Sequence, residues 1–176
     1  MNFNSTKIDG LYSVDINKLE DERGFFARAF CSEEFKELGL DPKVCQANMS
    51  YNKLAGTLRG MHFQKSPYQE SKFIRCISGS IYDVVIDLRK NSPTYCHSYG
   101  IELNDKNRIA LFVPKDFAHG FLTLKNDTEV LYMVSQPYVP NAEKGIRWND
   151  PFFNIDWPAK PILVSTKDDQ WPNFSS

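Results

Sequence analysis

Short runs rich in Val, Ile, Phe and Tyr alternate with turn residues along most of the chain. They predict strands at Leu11–Ile16, Phe25–Phe30, Val44–Ser50, Gly56–Gln64, Ser71–Ile77, Ile81–Asp87, Ser98–Leu103, Ile109–Pro114, Gly120–Leu124 and Val130–Ser135. Many short strands at regular spacing predict an all-β sandwich or barrel. One short helix is predicted at Glu33–Leu38. Ser32 stands where a cap belongs, Glu33 and Glu34 suit the positive end, and Gly39 can stop it. No linker, repeat or low-complexity tract breaks the pattern, so residues 1–176 are expected to form one domain.

The alternation also assigns faces. In Ile81–Asp87, Tyr82, Val84 and Ile86 form an apolar face. Ile81, Asp83, Val85 and Asp87 form a mixed one, as expected where a barrel encloses a polar cavity. In Gly56–Gln64, strict alternation sends Leu58, Gly60, His62 and Gln64 one way and Arg59, Met61 and Phe63 the other. The C-terminal third is loop-rich and aromatic, with Trp148, Phe152, Phe153, Trp157 and Trp171, and is expected to pack over an open barrel mouth.

Composition narrows the function classes. The 176 residues suffice for one sizeable core. A formal charge of −1, with 41% hydrophobic and 24% charged residues, excludes a strongly basic nucleic-acid footprint. No apolar run reaches the roughly 18 residues of a membrane span, and the first residues lack a signal-peptide pattern. Cys31, Cys45, Cys76 and Cys96 form no CxxC pair, which reads as reduced thiols in a cytoplasmic protein.

Four stretches could carry chemistry. In Gly56–Gln64, His62 stands alone in an apolar strand, where a histidine is ordinarily a hydrogen-bonded core residue, and Arg59 alone reads as a surface or interface charge. In Val113–Phe121, His119 reads as part of a turn entering a strand, beside Gly120, which permits close backbone approach to a ligand. In Val130–Pro140, Tyr132 falls in a strand and Tyr138 in the proline-flanked loop after it. In Val164–Trp171, Asp168 and Asp169 read as a solvated turn. The histidines are His62, His97 and His119, with no H-x-H pair, so no metal site is expected. P-loop, GxGxxG and GxSxG patterns are absent.

Taken together, these stretches resemble the dTDP-4-dehydrorhamnose 3,5-epimerase family, the RmlC-like cupins. The resemblance runs in order through D-E-R-G-F-F (Asp21–Phe26), L-R-G-M-H-F-Q (Leu58–Gln64), E-S-K-F-I-R-C (Glu70–Cys76) and I-Y-D-V-V-I-D-L-R (Ile81–Arg89). It continues through S-P-T-Y (Ser92–Tyr95), F-A-H-G-F (Phe117–Phe121), Tyr132, Tyr138, I-R-W-N-D-P (Ile146–Pro151) and S-T-K-D (Ser165–Asp168). It implies a cupin-type jelly-roll barrel with a few short helices, usually a homodimer, without metal or organic cofactor. The implied substrate is a nucleoside-diphosphate 4-keto-6-deoxy sugar inverted at C3 and C5. Within it, His62 is the implied base, Asp168 its carboxylate partner (with Asp83 and Asp169 as rivals), Lys72 the enolate stabiliser and Tyr132 the acid. Tyr138 would stack on the nucleobase. Arg23, Arg59 and His119 would hold diphosphate or sugar, and Gln46, Asn48, Glu143 and Lys167 fall at further ligand positions.

Two departures bear on the nucleotide. Arg28 stands where the family usually has an acid that meets the thymine edge, and Ala47 interrupts the usual Q-D-N at Gln46–Asn48. An arginine only donates, so it opposes thymine N3–H but suits acceptors of cytosine or guanine. The substrate handle is then CDP or GDP, or dTDP is retained with Arg28 turned outward or paired with a phosphate; separate alternatives are a C3-only or C5-only epimerase, a 3,4-ketoisomerase on a similar barrel, and a catalytically silent sugar-nucleotide-binding cupin.

Overall fold

The structure is a computed structural model that describes residues 1–175. Its elements in chain order are β1 (Asn2–Ser5), β2 (Tyr12–Asp15), β3 (Leu19–Asp21), β4 (Gly24–Phe26), α1 (Ser32–Glu37), β5 (Gln46–Asn52), β6 (Thr57–Gln64), β7 (Lys72–Ser78) and β8 (Ser80–Asp87). There follow β9 (Ser98–Asn104), β10 (Ala110–Val113), β11 (Phe117–Thr123), β12 (Thr128–Val134), a 3-10 turn at Pro140–Ala142, β13 (Glu143–Gly145), β14 (Leu163–Val164) and α2 (Thr166–Asp169).

Strand pairing is nested. β8 lies beside β9, β7 beside β10, β6 beside β11 and β5 beside β12. A long hairpin wound in this way is a jelly roll. It forms two sheets, β1-β2-β10-β7-β12-β5 and β13-β6-β11-β8-β9, with β14 running parallel beside β6. The all-β cupin-type expectation is met.

Three apolar layers hold the sheets. Ile74, Ile81, Val85, Leu103, Leu111 and Val130 fill the space between them. Each such side chain, fully buried, contributes about 1.5–3 kcal/mol. Outside the first sheet, Phe35 of α1 packs on Phe73 and Phe112. Outside the second, Phe153, Ile155, Trp157 and Phe174 cover Met61, Val84 and Ile86. Of the C-terminal aromatics, Trp171 stands beside His62, whereas Phe153, Trp157 and Phe174 cover the outer face of a sheet and not the barrel mouth. They follow the apolar Tyr82–Ile86 face, which needs cover, while the Ile81–Asp87 face looks inward.

Some local expectations are corrected. Helix α1 starts at Ser32, with Cys31 extended at the cap position and making no side-chain cap bond, so Ser32 is the first helical residue. Gly39 ends the segment with φ +70, as a stop signal should. The Phe25–Phe30 strand shrinks to Gly24–Phe26, paired with β3 in a separate hairpin. Strand β11 begins at Phe117, because the turn before it closes early with Asp116 at φ +63. His119 therefore lies inside a strand.

Candidate active site

A cavity of about 520 Å³ opens between the two sheets, within the range that holds small-molecule ligands. The inner sheet residues Gln46, Asn48, Lys72 and Tyr132 line one wall, and Arg59, His62 and His119 line the other. Tyr138, Glu143 and Asp168 also line it.

Arg59 and His62 share this cavity although alternation sends them to opposite faces. Along β11, His119 pairs with His62 and Phe121 with Arg59, so two steps on β11 match three on β6. The extra residue is a β-bulge, which resets the alternation. Gly60 sits in it at φ +125, and a Cβ there would stand 2.5 Å from the Gly120 backbone. Close packing of these two glycines lets the bulge exist.

The His62 Nε2 lies 2.6 Å from Asp168 Oδ1. Asp168 comes from the far end of the chain. Strand β14 pairs with the start of β6, and α2 follows it directly, which delivers the carboxylate beside Gly60 and His62. Its second oxygen accepts from the Gly60 N–H at 3.3 Å, and its own N–H donates to the Ser165 cap at 3.1 Å. Burial pushes the Asp168 carboxyl up, but the His62 hydrogen bond and charge, with the Gly60 and Ser165 bonds, bring it below its ordinary value. It is thus held as a carboxylate. A carboxylate at Nε2 leaves Nδ1 as the nitrogen free to take a proton. The Trp171 ring stands edge-on to His62 at 6.2 Å.

The rival assignments are resolved by position. Asp83 faces the second histidine: its Oδ2 is 2.8 Å from His119 Nε2, and its Oδ1 is buried without a partner. Burial pushes the Asp83 carboxyl above its ordinary value against the pull of His119. Asp169 meets the Trp148 indole N–H at 3.3 Å.

At the cavity mouth, Tyr138 donates its hydroxyl to Glu143 at 2.6 Å, and Lys167 pairs with the same carboxylate oxygen at 2.5 Å. That Glu143 bond raises the Tyr138 hydroxyl above its ordinary value. Gln46 Oε1 accepts the Tyr138 N–H at 2.8 Å. The Tyr132 hydroxyl is pushed up by burial, with the Arg59 cation pulling the other way, so it keeps its proton. Lys72 pairs with Glu70, whose other oxygen accepts from Gln64 at 2.7 Å. Reading motifs did not single out Glu70 or give Gln64 a partner. Their spacing around Lys72 and His62 was the available signal.

Three predicted residues are not among those lining the cavity: Lys167, which pairs with Glu143, and Arg23 and Arg28. Arg23 is on the β3–β4 hairpin, bonded to Asp21. Arg28 bonds Glu34 of α1 at 2.8 Å and, like Arg23, is not among the residues lining this cavity. Among the described residues, no group of three or more His, Cys, Asp or Glu is placed to hold a metal ion. Among the same residues, no helix is long and apolar enough to cross a membrane.

A jelly-roll barrel whose cavity sets a carboxylate-held histidine on one sheet opposite a lysine and a protonated tyrosine on the other marks a cupin with acid–base side chains on both walls. Residues 5–176 match the family model described as dTDP-4-dehydrorhamnose 3,5-epimerase. The chain belongs to that family, whose curated members are carbohydrate epimerases. A dTDP-4-dehydrorhamnose 3,5-epimerase of Methanothermobacter thermautotrophicus is 41% identical over 96% of this chain and 92% of its own length. A Bacillus anthracis structure of that enzyme, with TDP and PPi bound, superposes with TM-score 0.95 at 38% identity, covering 98% of this chain and 99% of that one. A Legionella pneumophila epimerase in complex with dTDP-4-keto-L-rhamnose gives TM-score 0.91 at 34% identity, covering 98% and 92%.

Proposed function

We propose that this protein inverts C3 and C5 of a dTDP-linked 4-keto-6-deoxy sugar by proton removal and return. The ketone at C4 acidifies the neighbouring C–H bonds. His62 takes one proton, and Asp168 holds and charge-stabilises the resulting imidazolium. The electron pair moves onto the carbonyl oxygen as an enolate, which the Lys72 ammonium stabilises. Tyr132 returns a proton to the opposite face. The observation that carries this reading is the placement of His62 and Tyr132 on different sheets, with the cavity between them. An inversion needs a base and an acid on opposite faces of one carbon.

Arg59 and His119 suit the diphosphate, since charge-assisted donors favour phosphate oxygens. Asp83 orients His119 for that contact. Tyr138 stacks on the nucleobase, and Gln46, Asn48, Glu143 and Lys167 complete the ligand's surroundings. The dTDP-sugar relatives support thymidine over a cytidine or guanosine handle.

We also propose a homodimer acting in the cytoplasm. The β3–β4 hairpin exposes Leu19 at 69% and Phe26 at 72%, an apolar face that a second copy would cover. Arg23, at its tip, has no place in its own cavity and would reach the ligand of a neighbour.

The test is to incubate the protein with dTDP-4-keto-6-deoxyglucose in deuterium oxide and follow C3 and C5 by NMR. Deuterium at both centres, with inversion, is expected. Exchange at C3 alone would replace the reading with a 3-epimerase, and absence of exchange would defeat the enzyme reading for this sugar.

A further inference from the structure

We infer that Glu70 is a positioning residue for Lys72, and that Gln64 ties this pair to the loop carrying Tyr138; the inference rests on the role proposed above for Lys72. The Lys72 and Glu70 side chains are 12% and 7% exposed, so the ion pair is nearly closed off from water. An ammonium placed alone there would lose its hydration without compensation. On a flexible four-carbon stem it would also have no fixed aim. Glu70 supplies both the counter-charge and the anchor.

The anchor is itself held. Glu70 Oε2 accepts from Gln64 Nε2 at 2.7 Å. The same amide nitrogen faces the carbonyls of Tyr68 and Pro137 at 3.1 and 3.2 Å, and Gln64 Oε1 accepts the Val139 N–H at 2.6 Å. These partners fix which end of the amide is which, because Val139 offers a donor and the others offer acceptors. Glu70 must then accept on both oxygens, from Lys72 on one and Gln64 on the other. A carboxylate does so, whereas a carboxamide would set a donor against one of the two. Gln64 lies two residues beyond His62 on β6 and its bonds flank Tyr138. One buried amide therefore registers the strand of the base, the lysine and the nucleobase loop with respect to one another.

The experiment combines kinetics with direct observation of the lysine. Glu70→Ala in the otherwise unchanged protein is expected to lower kcat about tenfold, with KM within about threefold. In a Lys72→Ala background the same change is expected to cost less than about twofold, because Glu70 acts through Lys72. Glu70→Gln, which keeps size and one acceptor, should fall between. An equal loss in both backgrounds, or an unchanged kcat, would overturn the inference. Separately, proton–nitrogen NMR of lysine ammonium groups should show an ordered Lys72 signal, identified by its loss in Lys72→Ala, that vanishes in Glu70→Ala. Its persistence would overturn the inference whether or not the protein turns over this sugar. Absence of turnover in the unchanged protein with the NMR result as expected would defeat the proposed reaction alone.

Discussion

Two histidine–carboxylate pairs stand side by side in one sheet, and they are built differently. His62 and His119 are direct cross-strand partners, and each turns Nε2 toward an aspartate. Asp168 arrives on a short helix, collects a backbone N–H and a capped position, and is pulled below its ordinary value. Asp83 sits on β8, fully buried, with one oxygen unpartnered, and is pushed above it. The His62 side chain is 32% exposed and that of His119 is 13%. An ionised carboxylate behind a reachable imidazole suits a base that must take and release a proton. A tightly enclosed pair suits a donor that holds a ligand still. What separates them is the depth of burial, greater at Asp83, together with the number of hydrogen bonds each carboxylate receives.

That contrast can be broken first at the base. His62→Ala should lower turnover by about 10²–10⁴-fold while dTDP binding, measured by calorimetry, changes little. A loss of binding as large as the loss of turnover would make His62 a ligand holder like His119.

The hydrogen-bond account can be sharpened on β8 itself. Asp87 shares the inward face with Asp83 and is likewise closed to solvent, though Asp83 lies deeper in the protein. Burial pushes it up, yet bonds from Arg89, Ser92 and Thr94 bring it from 3.8 to about 2. A depressed carboxylate stabilises the fold above its unfolded value and loses that stabilisation as pH falls through the folded one. Urea unfolding should show the unchanged protein losing about 2 kcal/mol between pH 4 and pH 2 relative to Asp87→Asn. Parallel curves for the two proteins would refute it.

A smaller effect is expected at the second histidine. His119→Ala should weaken dTDP binding about tenfold, with kcat for bound substrate nearly kept. Smallest is Asp83→Asn in stability. A carboxylate raised in the fold stabilises it below the unfolded value and loses that contribution as pH rises through the folded one. Between pH 4 and pH 8 the unchanged protein should therefore lose stability relative to Asp83→Asn, the opposite slope to Asp87. Equal slopes would mean that partner count does not separate these carboxylates.

The eight nested strands β5 to β12 were legible in the sequence because two-residue alternation and turn residues are local signals, and the inward Ile81–Asp87 face was legible for the same reason; the short strands β1, β3, β13 and β14 were not. The bulge at Gly60 was not, since it arises where two strands of different spacing meet, and it alone puts Arg59 beside His62. The turn at Asp116 hid the start of β11, and the cover for the outer sheet face depended on a return of the chain from about 70 residues away. His62 by itself read equally as a core residue. Its partner lies 106 residues on, and only the tertiary fold decides between Asp168, Asp83 and Asp169. The ordered family resemblance supplied the roles that spacing could not. Even so, it left Glu70 unnoticed, because a carboxylate two residues from a lysine is ordinary on a solvated strand and unusual only once both are buried.

The most direct test of the division between the two pairs measures solvent exchange at C5 and dTDP affinity side by side in Asp168→Asn and Asp83→Asn. The account predicts a crossed result: Asp168→Asn loses exchange and keeps dTDP affinity, while Asp83→Asn keeps exchange of the bound sugar and loses affinity. Equal loss of exchange in both variants, with dTDP affinity unchanged in both, would contradict it.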